Sequence, residues 1–473
     1  MSSYDAVVVG AGPNGLAAAV EIARNQRSVL VLEAAESIGG GARTAELTLP
    51  GYRHDVCSSI HPMGIASPYF RTLPLDEYGL EWIHPTLPLA HPLDDGSAAV
   101  LDRSVDVSAE TLGEDAAAYR KLMEPLVRNA EALTYGFLGP VVRIPRNPFV
   151  MLRLGLYAMR PAASLARSVF TGERARALLA GNAAHTLVPL ETRPTGAVGL
   201  VFQLLGHASG WPLPRGGSQA IVDALARYLW SIGGRIQTGS RITAFRELPP
   251  ARVYLFDLSP RQLVEIAGDQ LSAGYRQRIS RFRYGAGVFK IDWALDGPIP
   301  WKAAACAGAG TVHCGGTLEE IAAGEAAVAR GEHPQRPWVI VAQQSLFDDS
   351  RAPAGKHTGW AYCHVPNGST LDMTDVIESQ MERFAPGFRD LVLARSVRTA
   401  VDIEAYNGNY VGGDIAAGQA DLRQIIGRPT LRLSPYTTPH PGIYLCSSST
   451  PPGPGVHGMS GYYAARAALR RLR

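Results

Sequence analysis

Residues 5–15 read Asp-Ala-Val-Val-Val-Gly-Ala-Gly-Pro-Asn-Gly, and the fold class follows from them. A short, continuously apolar run predicts a strand buried on both faces. It ends in Gly10, Gly12 and Gly15, spaced GxGxxG, and the Ala-rich stretch from Leu16 to Asn25 has a helical pattern. Val29-Leu-Val-Leu-Glu33 predicts a second buried strand, which completes a βαβ unit. In that setting Gly10 permits the tight turn, Gly12 lets the backbone approach a pyrophosphate, and Gly15 lets the helix lie close to the strand. The helix start, with Pro13 and Asn14, presents unpaired N–H groups and a positive dipole end to phosphates. Glu33 ends the second strand, where a carboxylate bonds ribose hydroxyls and repels a 2′-phosphate. Together these residues predict a dinucleotide site.

The rest of the chain sets bounds on this reading. At 473 residues, two or three intertwined modules are expected. Hydrophobic residues at 46% and charged residues at 18% describe a chain with a large core and exclude general disorder. A net charge of +3 is too weak to point to nucleic acid. The five cysteines include no CxxC pair, which argues against a zinc ribbon or a thioredoxin-type redox pair and for reduced, buried thiols in a cytoplasm. No metal is expected, because His/Cys spacing, GxSxG and P-loop signatures are all missing. The N-terminus lacks the pattern of a signal peptide, and no run reaches the ~20 apolar residues needed to span a bilayer. A soluble cytoplasmic protein, at most peripheral to a membrane, is therefore expected.

After Glu33 and Ala34 comes a second glycine cluster, Gly39-Gly40-Gly41-Ala42-Arg43-Thr44. It resembles the second dinucleotide-contact segment of the amine oxidase and phytoene desaturase superfamily of flavoproteins. The likeness continues through Gly51 to Pro62, Gly210 to Ser218, Gly233 to Ile242, Tyr284 to Trp293, Asn409 to Asp414 and Leu445 to Gly461. It is closest to the bacterial phytoene desaturase-like branch related to the pyridine nucleotide-disulphide oxidoreductase-domain proteins. The resemblance implies FAD and an α/β fold. A Rossmann-type FAD domain would be assembled from residues 1–65, 205–285 and 405–473. An inserted α+β substrate domain would comprise residues 66–204 and 286–404.

By the same resemblance, Ser59 and Ile60 cross the flavin ring, and Ile242, expected in a strand after Gly239, supplies backbone bonds to adenine. Ser447 lies by the ribityl and phosphate region, and Val456 to Ser460, including His457 and Met459, meet the ring. Gly453-Pro-Gly455-Val-His-Gly458 also matches GxGxxG, but no strand ending in an acid follows it, so a strand, a glycine loop and a helix from about Met459 to Leu472 are expected instead of a second nucleotide site. Three candidates emerge for moving a proton: His457 in that loop, His61 and Tyr406. Each has an ordinary structural role as its alternative, as does Ile242.

Residues 65–205 look helical. From Ala132 to Thr171 there is no acid, and Arg146, Arg153, Arg160 and Arg167 recur every seven residues among apolar side chains. The segment Arg143–Arg167 is expected either to rest on an anionic membrane or to be an ordinary helix with solvated or paired arginines. The implied activity is desaturation or saturation of a carbon–carbon bond in a hydrophobic carotenoid-, terpenoid- or enone-like substrate, by hydride transfer at flavin N5. Oxygen or a quinone would reoxidise the cofactor. The alternatives are a redox-neutral flavin-dependent isomerase or hydratase, and a flavin-stabilised scaffold. The oligomeric state stays open.

Overall fold

The computed structural model describes residues 4–140 and 145–473. Two sheets organise the chain. The nucleotide sheet is parallel throughout, in the order Ile443–Leu445, Ala251–Phe256, Tyr4–Val9, Val29–Leu32, Arg235–Gln237. Its central strands are apolar on both faces because helices cover both sides, as parallel sheets require. On one face the glycine-loop helix, Pro13–Arg24, packs against Gln219–Ser231 and the C-terminal helix Met459–Leu469. A Cβ on Gly461 would sit 1.8 Å from the Asn14 carbonyl oxygen, so only glycine allows the two helices to come this close. Pro260–Ala267 and Ala273–Ile279 cover the other face.

The second sheet runs Val392–Arg398, Gly287–Leu295, His357–Val365, Val339–Ala342, Ala309–Cys314, Leu87–Pro92, Ala98–Leu101. It is antiparallel except where Ala309–Cys314 pairs with Leu87–Pro92. The chain thus crosses between the sheets repeatedly. The nucleotide-sheet strands come from residues 4–32, 235–256 and 443–445, and the second-sheet strands from 87–101 and 287–398. The stretch expected to be helical, 65–205, is therefore mixed: Leu87–Pro92 and Ala98–Leu101 add two strands to the second sheet.

Proline breaks the arginine-bearing segment in two, into Pro148–Ala158 and Ala162–Val169 with Pro161 between them. The arginines are not a free stripe. Arg146 meets Glu131 and lies over the Tyr135 ring, Arg153 donates to the Lys121 carbonyl, Arg160 to Ser168 Oγ, and Arg167 pairs with Glu319. Arg143 lies outside the described residues. An apolar ridge is exposed beside the other arginines: Phe149, Leu152 and Leu156, on one helix face at i, i+3 and i+7, are 82%, 64% and 67% exposed. Among the described residues no helix is long and apolar enough to cross a membrane. All five cysteines are free.

Candidate functional site

The first strand delivers the glycine loop to the carboxyl edge of the nucleotide sheet, where open α/β sheets bind ligands. Gly10 has φ +102°, the left-handed region that favours glycine, and a Cβ on Gly15 would lie 2.0 Å from the Gly10 carbonyl. Gly12, Pro13 and Asn14 line a cavity of about 440 Å³. Glu33 holds the loop from beneath: Oε2 accepts from the Ala11 N–H at 2.8 Å, and Oε1 from the Ala35 N–H at 3.0 Å and from Arg43 at 3.2 Å. The same cavity passes Gly40 and Gly41 of the second glycine cluster, Ser447 to Ser449 and Val456. It then reaches Ser59, Ile60 and His61, and ends at an aromatic wall that includes Trp211, Trp360 and Tyr362.

Residues far apart in sequence pin the 55–61 segment. Asp55 accepts from Thr44 Oγ1, Ser59 Oγ, the Ser218 N–H and Arg351. Arg351 is fully buried between Asp55 and Asp348, 2.9 Å from each. Burial alone would raise the Asp55 pKa, but the Arg351 guanidinium and these donors hold it down at about 2. His61 Nε2 lies 2.8 Å from Ser218 Oγ, whose own hydrogen goes to the Ser58 carbonyl. The imidazole therefore donates through Nε2 and keeps a lone pair on Nδ1. Burial pushes His61 down to about 4, so it is neutral at pH 7.

The other expected proton carriers stand elsewhere. His457 is fully buried and does not line the cavity. Its Nδ1 accepts from the Met459 N–H at 3.0 Å, satisfying an orphan donor in the first turn of the C-terminal helix. Burial lowers its pKa to about 4. Tyr406 donates to the Gly40 carbonyl and lies between Arg43 and Arg398, behind the main cavity. Both side chains are thus engaged with the backbone that shapes the site. Ser460 donates to the Thr450 and Pro451 carbonyls, while Met459, Ala42 and Ala34 also lie off the cavity wall. Ile242 lies in coil beyond Arg235–Gln237, not in a strand, because the chain leaves the sheet once the Gly239 and Ser240 N–H groups bond the Ala35 and Glu33 carbonyls.

Two parts of the site escaped the sequence reading. Asp257 follows the strand Ala251–Phe256, and its Oδ2 accepts the Gly15 N–H at 2.8 Å. Burial raises its pKa to about 7, Gly15 opposes this, and Glu33 adds to it. The signal was an apolar run closed by Asp and then Ser259-Pro260, a strand leading into a helix cap. The second is the wall formed by His185, Thr311 and Trp360, polar residues that look like noise within apolar strands and helices.

Comparison with known proteins agrees with this geometry. Residues 8–73 match the family model of the NAD(P)-binding Rossmann-like domain. The pyridine nucleotide-disulfide oxidoreductase domain-containing protein 2 of Rattus norvegicus is 27% identical, over 99% of this chain and 94% of its own. The chain is its homologue from end to end. One of the limonene dehydrogenase chains of Castellaniella defragrans is 32% identical over 108 residues, 23% of this chain and 19% of that one. Among solved structures, wild-type putrescine oxidase bound to putrescine superposes with a TM-score of 0.61 at 16% identity, covering 100% of both chains. The fold is thus of the flavin amine oxidase type.

Proposed function

We propose that this homologue is an FAD-dependent oxidoreductase that introduces or removes a carbon–carbon double bond in a hydrophobic, terpenoid-like or enone substrate. One observation carries the reading: a single cavity joins the glycine loop to an apolar, aromatic wall, so a dinucleotide and an apolar molecule can meet in it. The residues present fit the dinucleotide. The backbone of Gly12 to Asn14 faces the cavity at a helix N-terminus, and Asn14 Oδ1 is buried there without a partner. Glu33 would serve the ribose, Gly40 to Arg43 the second contact segment, and Ser447 and Val456 the far half.

When bound, FAD supplies the two-electron acceptor or donor that the side chains lack. The protein positions and desolvates. The Asp55–Arg351 network fixes Ser59 to His61 against the cavity, and Trp211, Trp360 and Tyr362 exclude water from its inner end. Of the three expected proton carriers, His61 is the one on the wall, and its Nδ1 lone pair can accept a proton. Oxygen or a quinone is the proposed electron partner. The exposed face of Phe149, Leu152 and Leu156 supports a peripheral membrane contact that would give access to lipid-phase substrates.

The test is anaerobic mixing of the flavin-loaded protein with candidate alkenes and enones, followed near ~450 nm, the flavin band. Bleaching, or its reversal after dithionite, that keeps pace with product is expected. Full conversion with only a catalytic amount of reductant would instead identify an isomerase or hydratase.

A further inference from the structure

The inner end of the cavity is built on one face of the second sheet. Thr311 and His313 alternate along one strand, and Trp360, Tyr362 and His364 along another. The register, with Thr311 opposite Ala342 and Ile340 opposite Tyr362, puts them all on the same side. Ile340, Trp360 and Tyr362 line the cavity, so this is the side that faces it. The surroundings are apolar, yet Thr311 Oγ1 and Trp360 Nε1 have no hydrogen-bond partner, although Thr311 is fully buried and Trp360 is 5% exposed. Buried polar atoms are almost always paired, so two orphans in one pocket wall point to a partner that the polypeptide does not provide.

His185 adds a third group. It follows the helix Glu173–Ala184, stacks on Phe202 and lines the cavity. Its Nε2 is 3.1 Å from His313 Nε2, and a neutral pair at that distance shares one proton. If His313 donates, His185 carries its hydrogen on Nδ1 and offers a donor. If His185 donates, Nδ1 is an acceptor. The pair can therefore serve a carbonyl or a hydroxyl by a change of tautomer in both rings, each neutral imidazole carrying its hydrogen on its other nitrogen.

We propose that this end of the cavity recognises one uncharged oxygen, carbonyl or hydroxyl, on an otherwise apolar substrate, through Trp360 Nε1, Thr311 Oγ1 and His185 Nδ1. The proposal rests on the reading of the cavity as the substrate site of a flavin-dependent oxidoreductase and narrows its substrate class. A cation does not fit there. Burial holds His185 at about 3 and His313 well below the usual range, so neither is charged. Glu325, which reaches this layer from the helix Leu318–Ala329, is already bonded to His364 Nδ1 at 2.8 Å. The charged residues on the cavity wall, Asp257 and Arg428, belong to the glycine-loop end: Asp257 bonds Gly15, and Arg428 bonds the Ala417 carbonyl beside Gly453. The pocket is therefore suited to a neutral ketone or alcohol and not to an ammonium such as putrescine carries.

Four probes on one carbon skeleton test this: limonene, carvone, carveol and carvylamine, titrated calorimetrically into the purified full chain at pH 7. Carvone or carveol should bind about tenfold more tightly than limonene, as expected for one or two new neutral hydrogen bonds, and carvylamine no more tightly than limonene. Thr311→Val keeps the side chain's shape and removes one polar atom, and Trp360→Phe removes the indole N–H together with part of the ring. Each should narrow the gap about threefold, the gap being read as the ratio of oxygenated-probe to limonene affinity within the same variant. The proposal is overturned if no oxygenated probe binds more tightly than limonene, if carvylamine binds tightest, or if the gap survives both substitutions. Flavin content is measured separately. A colourless protein that keeps the preference overturns the flavin reading alone, and a yellow protein without it overturns this proposal alone.

Discussion

His457 shows how little a residue's chemistry says about its work until its neighbours are known. In sequence it is an imidazole in a glycine loop, a natural acid. In the fold its Nδ1 is occupied by the Met459 N–H and its ring is sealed from the cavity. His457→Ala should therefore cost stability, about 1 kcal/mol as for a lost helix cap, seen as a lower Tm, and His457→Asn should recover part of it. Loss of turnover at unchanged Tm would contradict this. Arg351 has the opposite history: nothing in its local sequence marks it out, yet it pairs with two buried carboxylates. Arg351→Met leaves both unpaired and should destabilise by about 3–5 kcal/mol in urea unfolding. Asp55 also sets an acid limit. Its folded pKa, about 2, lies below its ordinary 3.8, so its contribution is fully present above about pH 4 and is lost as pH falls toward 2. Unfolding free energy measured from pH 5 to pH 2 should fall in that window, less steeply in Asp55→Asn. Identical profiles would refute the assignment.

At the scale of elements, what could be read in advance was what depends on local pattern. The glycine loop and its two strands were readable because apolar runs, glycine spacing and a terminal acid all pointed the same way. The C-terminal helix, Met459–Leu469, was readable from its preceding loop. The strands Leu87–Pro92 and Ala98–Leu101 were not, because their partners lie more than 200 residues away or depend on pairing that no local period encodes. Gly461 illustrates a requirement visible only in three dimensions. Gly461→Ala should push the C-terminal helix off Asn14, cost about 1–3 kcal/mol and weaken dinucleotide binding, since Asn14 opens the glycine-loop helix. Thermal denaturation with and without FAD checks both effects. The helix Pro148–Ala158 gives a surface prediction. Leu152→Glu with Leu156→Glu should reduce flotation with anionic vesicles by about tenfold or more without changing Tm, because each exposed leucine would otherwise bury its side chain in lipid. Equal flotation would dismiss the membrane contact. Among the described residues, Arg146 and Arg167 meet Glu131 and Glu319 and Arg153 and Arg160 donate to a carbonyl and a hydroxyl, so the prediction is placed on the apolar ridge.

Across the whole molecule, two sheets built from interleaved segments enclose one cavity between a nucleotide loop and an aromatic wall. Alternation between sheets explains why the site was only half readable. Its nucleotide half is local in sequence, whereas its inner wall is gathered from residues 185 to 362. The central claim is that the nucleotide half holds FAD. It is tested most directly by purifying the full chain, reconstituting it with FAD, removing free cofactor by gel filtration and recording the flavin-to-protein ratio. A yellow protein carrying about one FAD per chain, with the flavin lost in Gly15→Ala, is the predicted result. A folded, colourless protein that takes up no FAD at any concentration tried would contradict the account.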